Sequence, residues 1–208
     1  ISVTGVQPCA LPIYILNVYN NEGVQYAEPK LKMAGIEAVR SSTPAVVRDL
    51  IKEALAMIMT KTEDELIDFI TANREHFKTL SFEEIAFPRG CNGLKKYRSA
   101  ADIYKKSTPI QVRGALLYNY YIRKNNLEHK YPIIQEGEKI KFIYLKTPNP
   151  IQENVISFFQ QLPKELNLDK YIDYTLQFEK SFFEPIKNVL ECIGWQAERK
   201  GNLSSFFF

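Results

Sequence analysis

The sequence predicts a mainly helical α+β fold that opens on a β-hairpin, and three observations carry the prediction. Tyr14–Tyr19 alternates and is rich in β-formers, Asn20-Asn21-Glu22-Gly23 supplies turn chemistry, and a second extended run follows from Val24 to Lys32. Apolar residues next recur at helical spacing in several long stretches, and alternation returns only once more, from Glu138 to Lys146. With 208 residues, 45% of them hydrophobic, the chain is long enough to bury a sizeable core.

After the hairpin, Thr43 precedes Pro44, a residue preorganised for the start of a helix. Val47, Leu50, Ile51, Ala54, Leu55 and Ile58 form the apolar stripe of that helix, over residues 44–60. Thr62-Glu63-Asp64-Glu65 has the form of a capping box, and Leu66, Phe69, Ile70 and Phe77 mark a second helix, expected to pack against the first. Phe82–Phe87 reads as a short strand, and Pro88–Gly93 as a loop. From Pro109 a helix runs through Val112, Leu116, Leu117, Tyr120 and Tyr121. Pro148-Asn149-Pro150 ends the strand at 138–146. Asp169 is expected to cap a long last helix with a stripe of Ile172, Leu176, Phe182, Ile186, Val189, Leu190 and Ile193. Pro185 should kink or divide that helix, and Gly194 should stop it.

The net charge of +3 decides little, but its distribution is uneven. Between Arg89 and Arg113, the cations Lys95, Lys96, Arg98, Lys105 and Lys106 face a single acid, Asp102. No apolar run approaches the roughly 18 residues of a membrane span. Cys91 and Cys192 stand far apart without the paired spacing of a structural zinc site, so both are expected to be free thiols. Catalytic signatures are missing as well: no paired aspartates suited to a two-metal centre, no histidine cluster and no glycine-rich phosphate loop. Ser2–Ile13 resembles the translation of a short-read sequencing adapter, so residues 1–13 are set aside from the functional reading.

The run Tyr26-Ala-Glu-Pro-Lys-Leu-Lys-Met-Ala-Gly-Ile-Glu-Ala-Val-Arg-Ser-Ser-Thr-Pro44 resembles the palm-to-thumb junction of family B DNA polymerases in their T-even-type bacteriophage form. Lys96-Tyr97, Pro109-Ile-Gln-Val-Arg-Gly-Ala-Leu-Leu-Tyr-Asn119 and the terminal Leu203-Ser-Ser-Phe-Phe-Phe208 extend the resemblance over most of residues 14–208. It implies a palm-end hairpin and junction at 14–40, a thumb at 41–198 and a clamp-docking tail at 199–208. The implied function is that of the C-terminal part of a DNA-directed DNA polymerase. Such a part would grip primer-template duplex, join the remainder of the palm and bind a sliding clamp in the cytoplasm of an infected bacterial host. The parent would use Mg²⁺; this part would bind no cofactor and, lacking the family's catalytic carboxylates, would be inactive alone.

The same resemblance assigns DNA contact to Tyr14, Lys30, Lys32, Arg40, Ser41 and Ser42 in the hairpin and junction. In the thumb it assigns Lys95, Lys96, Tyr97, Lys105, Lys106 and Arg113, where Ser99–Tyr104 replaces the family's glycine-rich tip. Cations and hydroxyls at this density suit phosphate recognition, although lysines guarding a strand edge would read the same way. Leu203, Phe206, Phe207 and Phe208 fall on one side of a helical turn and would fill an apolar pocket on the clamp, or else fold back on the chain's own core. Two other readings stand beside this one. The first is a free-standing, non-catalytic module that binds DNA and a clamp. The second is a helical interaction protein with no nucleic-acid role, in which folding would disperse the basic residues.

Overall fold

The computed structural model describes residues 14–34, 37–99 and 101–199; segment 1–13 and the tail residues Leu203, Phe206, Phe207 and Phe208 lie outside them. Strands β1 (Tyr14–Asn21) and β2 (Val24–Ala34) form the expected antiparallel hairpin. Its two-residue turn needs positive φ at both central positions, met by Glu22 (53°) and Gly23 (86°), and Gly23 donates its N–H to Asn20 Oδ1 at 3.1 Å. Ile15 and Met33 pack against the core, while Leu16, Tyr19 and Val24 are exposed.

Helix α1 (Ala45–Thr60) buries Val47, Ile51, Ala54 and Leu55. Its cap differs from the prediction. Pro44, not Thr43, stands at the cap position with no side-chain bond, and Thr43 is buried with its N–H on the Arg40 carbonyl, 3.1 Å away. The capping box of α2 (Glu63–His76) is present as expected: Thr62 N–H donates to Glu65 Oε2 at 2.9 Å, and Glu65 N–H donates back to Thr62 Oγ1 at 3.4 Å. The two helices pack on one another, and Phe77 beyond α2 is wholly buried.

The next stretch corrects the sequence reading. Phe82–Ile85 is a single helical turn, α3, favoured by Glu83 and Glu84 at its start. The strand, β3, begins at Phe87 and runs to Gly90 through residues that Pro88 and Gly90 marked as loop. A strand tolerates proline at a sheet edge, and β3 is the edge of a sheet ordered β3-β4-β5. A second short helix, α4 (Leu94–Tyr97), leads to the long α5 (Ile110–Lys124) and to β4 (Lys139–Tyr144). Strand β5 (Val155–Phe158) was not foreseen. Its four residues are all buried, so the alternation that reveals a half-exposed strand is absent. Helix α5 lies against β5, and Gly114 marks their closest approach.

The last helix is shorter and more irregular than its stripe implied. Asp169–Tyr171 is a separate 3₁₀ turn, and Asp173, not Asp169, caps α6 (Tyr174–Phe178) by accepting from Leu176 N–H at 2.9 Å. The helix widens into a π turn over Glu179–Phe183, just before Pro185 in the first turn of α7 (Glu184–Ile193). A π turn takes up extra residues, so a stripe drawn at 3.6 spacing slips across it. Gln177 and Ser181 are buried, and Ile193, the last residue of α7, is 48% exposed. Gln177 is satisfied by donating to Ile85 C=O at 2.6 Å and accepting from Tyr144 N–H at 3.3 Å. Gly194 ends α7 at φ 78°, with Trp195 N–H on the Leu190 carbonyl at 3.0 Å.

Both described cysteines are free, with Cys91 buried and Cys192 exposed. Burial, with Glu136 and Glu138 nearby, pushes the Cys91 thiol up to about 11. A thiol raised in the folded state adds stability that is intact below its unfolded value near 9 and is lost as pH rises toward 11. Cys91→Ala is therefore expected to flatten the fall in stability between those pH values, and to leave the count of rapidly modified native thiols unchanged. A native thiol count that drops by one in Cys91→Ala would contradict its burial.

Candidate nucleic-acid interface

In the hairpin, Tyr14 pairs with Ala34, Leu16 with Lys32 and Val18 with Lys30, so Tyr14 and both lysines share one face. Lys30 and Lys32 are exposed, and Lys30 Nζ lies 4.3 Å from the centroid of the Tyr26 ring. At the junction Arg40 and Ser41 are exposed and Ser42 is half-buried. The Ser42 carbonyl accepts from Arg89 Nη1, which also reaches Pro88 C=O at 3.0 Å. Arg89 is thus a staple between the junction and β3. Burial lowers its pKa, but a guanidinium keeps its charge.

The thumb-side cations divide by location. Lys95 and Lys96 stand exposed on α4, with Lys96 Nζ 5.1 Å from the Tyr97 ring centroid. Glu136 holds the start of this helix by accepting from Gly93 N–H and, at 2.9 Å, from Leu94 N–H. Gly93 is required there: its φ is 95°, and a Cβ would meet the Tyr97 ring at 3.1 Å. The chain returns beside α4 through the Arg98–Tyr104 bridge, with Lys105 N–H on Tyr97 C=O at 2.9 Å and Lys105 Nζ on Lys96 C=O at 2.7 Å. Lys95, Lys96, Tyr97, Lys105 and exposed Lys106 are therefore gathered on two adjoining segments, whereas Arg89 and Arg113 lie in other settings.

Arg113 occupies a different setting. Its Nη2 donates to Asn154 Oδ1 at 2.6 Å, its guanidinium lies 5.8 Å from the Tyr104 ring centroid, and Nε is buried without a hydrogen-bond partner. The Tyr104 hydroxyl donates to Glu153, and burial, more than this carboxylate, raises its pKa. Arg113 thus braces the segment that carries Lys105 and Lys106. The stretch from 89 to 113 is poor in acids, but folding brings Glu136 and Glu153 to it, and each is occupied by a donor.

The fold also assembles residues that sequence reasoning did not combine. A cleft of about 1240 Å³ runs between the 94–103 segment and α5, with 133–136 as its third wall. Lys95 and Arg98 line one side, and Tyr120, Arg123 and Lys124 the other. Tyr120 belonged to the expected apolar stripe of α5 but is 41% exposed. The i, i+3, i+4 spacing of Tyr120, Arg123 and Lys124 was the available signal, since it places all three on one helical face. Among the described residues no group of three or more His, Cys, Asp or Glu side chains is placed to hold a metal ion, and no helix is long and apolar enough to cross a membrane.

Comparison with known proteins bears on this geometry. Over 93% of its length the chain is 31% identical to the DNA-directed DNA polymerase of Escherichia phage RB69, and it is 30% identical to that of Enterobacteria phage T4 over the same share. The matched part is 22% of each relative, so the chain spans about a fifth of their length and is similar to a fragment of them. No family profile matches it.

Proposed function

We propose that this chain is the duplex-holding thumb of a phage family B DNA polymerase, with the palm-end hairpin at 14–40, the thumb at 41–198 and a clamp-docking tail at 199–208. The single observation that carries the proposal is the similarity to two phage DNA polymerases along 93% of the chain. The clustering of Lys95, Lys96, Lys105 and Lys106 around Tyr97 supports it. Ammonium groups presented on two braced segments meet phosphates in any sequence, which is what a sequence-independent grip on primer-template DNA requires. Lys30, Lys32 and Arg40 extend the grip toward the catalytic part of the parent. Leu203, Phe206, Phe207 and Phe208 tether the parent to its sliding clamp in the host cytoplasm.

In this reading phosphoryl transfer, with the magnesium ions it would use, belongs to the remainder of the parent. The segment's contribution is to hold the product duplex while bonds are made elsewhere.

Duplex binding by fluorescence anisotropy across a salt series tests the proposal. The Lys105→Gln, Lys106→Gln double variant is expected to bind about 5–10-fold more weakly and to lower the slope of log K against log salt by about 2. The unaltered chain should add no nucleotide to a primer, and removal of Leu203–Phe208 should abolish retention on the clamp. An unchanged salt slope in the double variant would refute the assigned grip.

A further inference from the structure

The cleft beside α5 has a chemistry different from that of the exposed lysines. Its floor is apolar: Leu94, Leu116 and Ile134 are almost wholly buried, and Ile133 is half-buried. Its rims carry Lys95, Arg98, Arg123 and Lys124 against two acids, Asp102 and Glu136, and Arg123 Nε is already paired with Glu128 Oε1 at 3.3 Å. Of these acids, Glu136 already accepts the two N–H groups at the start of α4, so its charge is partly compensated. On the far rim, Tyr120 meets the Tyr121 ring edge-on at 5.1 Å, and Lys124 Nζ lies 5.7 Å and 5.6 Å from the two ring centroids. The back wall is rigid, because the buried Asn119 side chain donates to Ile134 C=O and accepts from Ile134 N–H, both at 2.8 Å.

A ligand for this recess must offer negative charge at the rim and a flat, apolar surface within. Duplex DNA offers the charge alone, because its base faces are hidden in the stack. An unpaired strand offers both, with regularly spaced phosphates for Lys95, Arg98 and Lys124 and free ring faces for Tyr120 and the floor. At about 1240 Å³ the cleft exceeds the roughly 300–1,000 Å³ of ordinary small-ligand sites, leaving room for more than one nucleotide. We infer that the cleft between residues 94–103 and α5 binds an unpaired DNA strand, with Tyr120 as stacking platform and Arg98 and Lys124 on the phosphates. The inference rests on the DNA-binding reading above but concerns a different DNA form; Lys105 and Lys106 do not line the cleft, whereas Lys95 borders both sites.

The test uses the 208-residue chain with two labelled probes, a short oligo-dT and a blunt duplex. Tyr120 is exposed on a helix, so Tyr120→Ala leaves the core intact. It is expected to weaken oligo-dT binding by about 5-fold or more, the loss of one stacked base, while duplex binding stays unchanged. Asp102→Lys, which adds positive charge at the rim, is expected to tighten oligo-dT binding. The Lys105→Gln, Lys106→Gln variant should show the converse selectivity, with duplex binding weakened and oligo-dT binding kept. Should Tyr120→Ala leave oligo-dT binding unchanged, or weaken both probes equally, the cleft is not the site. Failure of the unaltered chain to bind duplex would instead refute the grip proposed above, and the oligo-dT arm would still decide the cleft.

Discussion

Phe178→Ala is expected to lower the unfolding free energy by about 3–5 kcal/mol, the usual cost of removing a buried aromatic side chain. Phe178 is 1% exposed and meets Phe77 edge-on at 5.3 Å and Phe182 at 5.1 Å, so its ring joins α6 and the π turn that follows it to the end of α2. Arg74 adds to the sensitivity of the site. Its guanidinium lies 5.6 Å from the Phe178 ring and 5.0 Å from the Phe183 ring, and it pairs with Glu198 at 2.7 Å. Truncation leaves a cavity and removes one of the two rings that support Arg74. Denaturant unfolding should show a lower midpoint at unchanged slope, and Phe178→Leu should recover much of the loss. A loss under about 1 kcal/mol would mean that the site collapses freely and that the cluster does not hold these elements together.

Gly114→Ala is expected to destabilise the fold by a net of about 1–2 kcal/mol, against what helix propensity alone would give. In the interior of α5, alanine should be favoured over glycine by about 1 kcal/mol. Packing opposes this. A Cβ at Gly114 would collide with Ser157 Oγ and lie 2.8 Å from Ser157 N and 3.0 Å from the Ile156 carbonyl carbon. Two of these atoms belong to the backbone of β5, which is held in the sheet by β4, so the helix must lift from the sheet, an overpacking cost of about 1–3 kcal/mol. Ser157 is itself held by donating to Gln111 C=O at 2.9 Å. Removing its hydroxyl in a Gly114→Ala, Ser157→Ala double variant should therefore recover only part of the loss, because the backbone contact remains. A single variant more stable than the unaltered chain would show that α5 and β5 are not in the contact described.

Much of the local structure follows from residues that act within a turn or two of themselves. The Thr62–Glu65 capping box, the Glu22-Gly23 hairpin turn and the Gly194 helix stop depend on short-range hydrogen bonds and on φ, and each stands where its residues put it. The same holds for the basic character of 89–113, a matter of composition. Where the sequence reading failed, a distant partner had decided the outcome. Phe87–Gly90 is a strand because β4 pairs with it, and β5 carries no alternation because α5 covers the face it would have shown to water. Gln177 is buried because Ile85 and Tyr144, far away in the chain, supply its hydrogen-bond partners.

The functional residues divide along the same line. Which side chains can meet phosphate was already evident from charge, which needs no fold to exist. Their accessibility was not, because it depends on what lies across from each of them. Arg89 and Arg113 carry the same guanidinium as Arg98, yet Arg89 is spent on the Ser42 carbonyl and Arg113 on Asn154, whereas Arg98 lines an open cleft. Tyr120 and Tyr121 are adjacent in the chain, yet one is exposed beside Lys124 and the other packs against the core. Charge and local turn chemistry belong to single residues and their neighbours, so the chain specifies them directly. Partners from remote segments arrive only when the core closes, and it is their arrival that separates a cation free to bind from one that holds the molecule together.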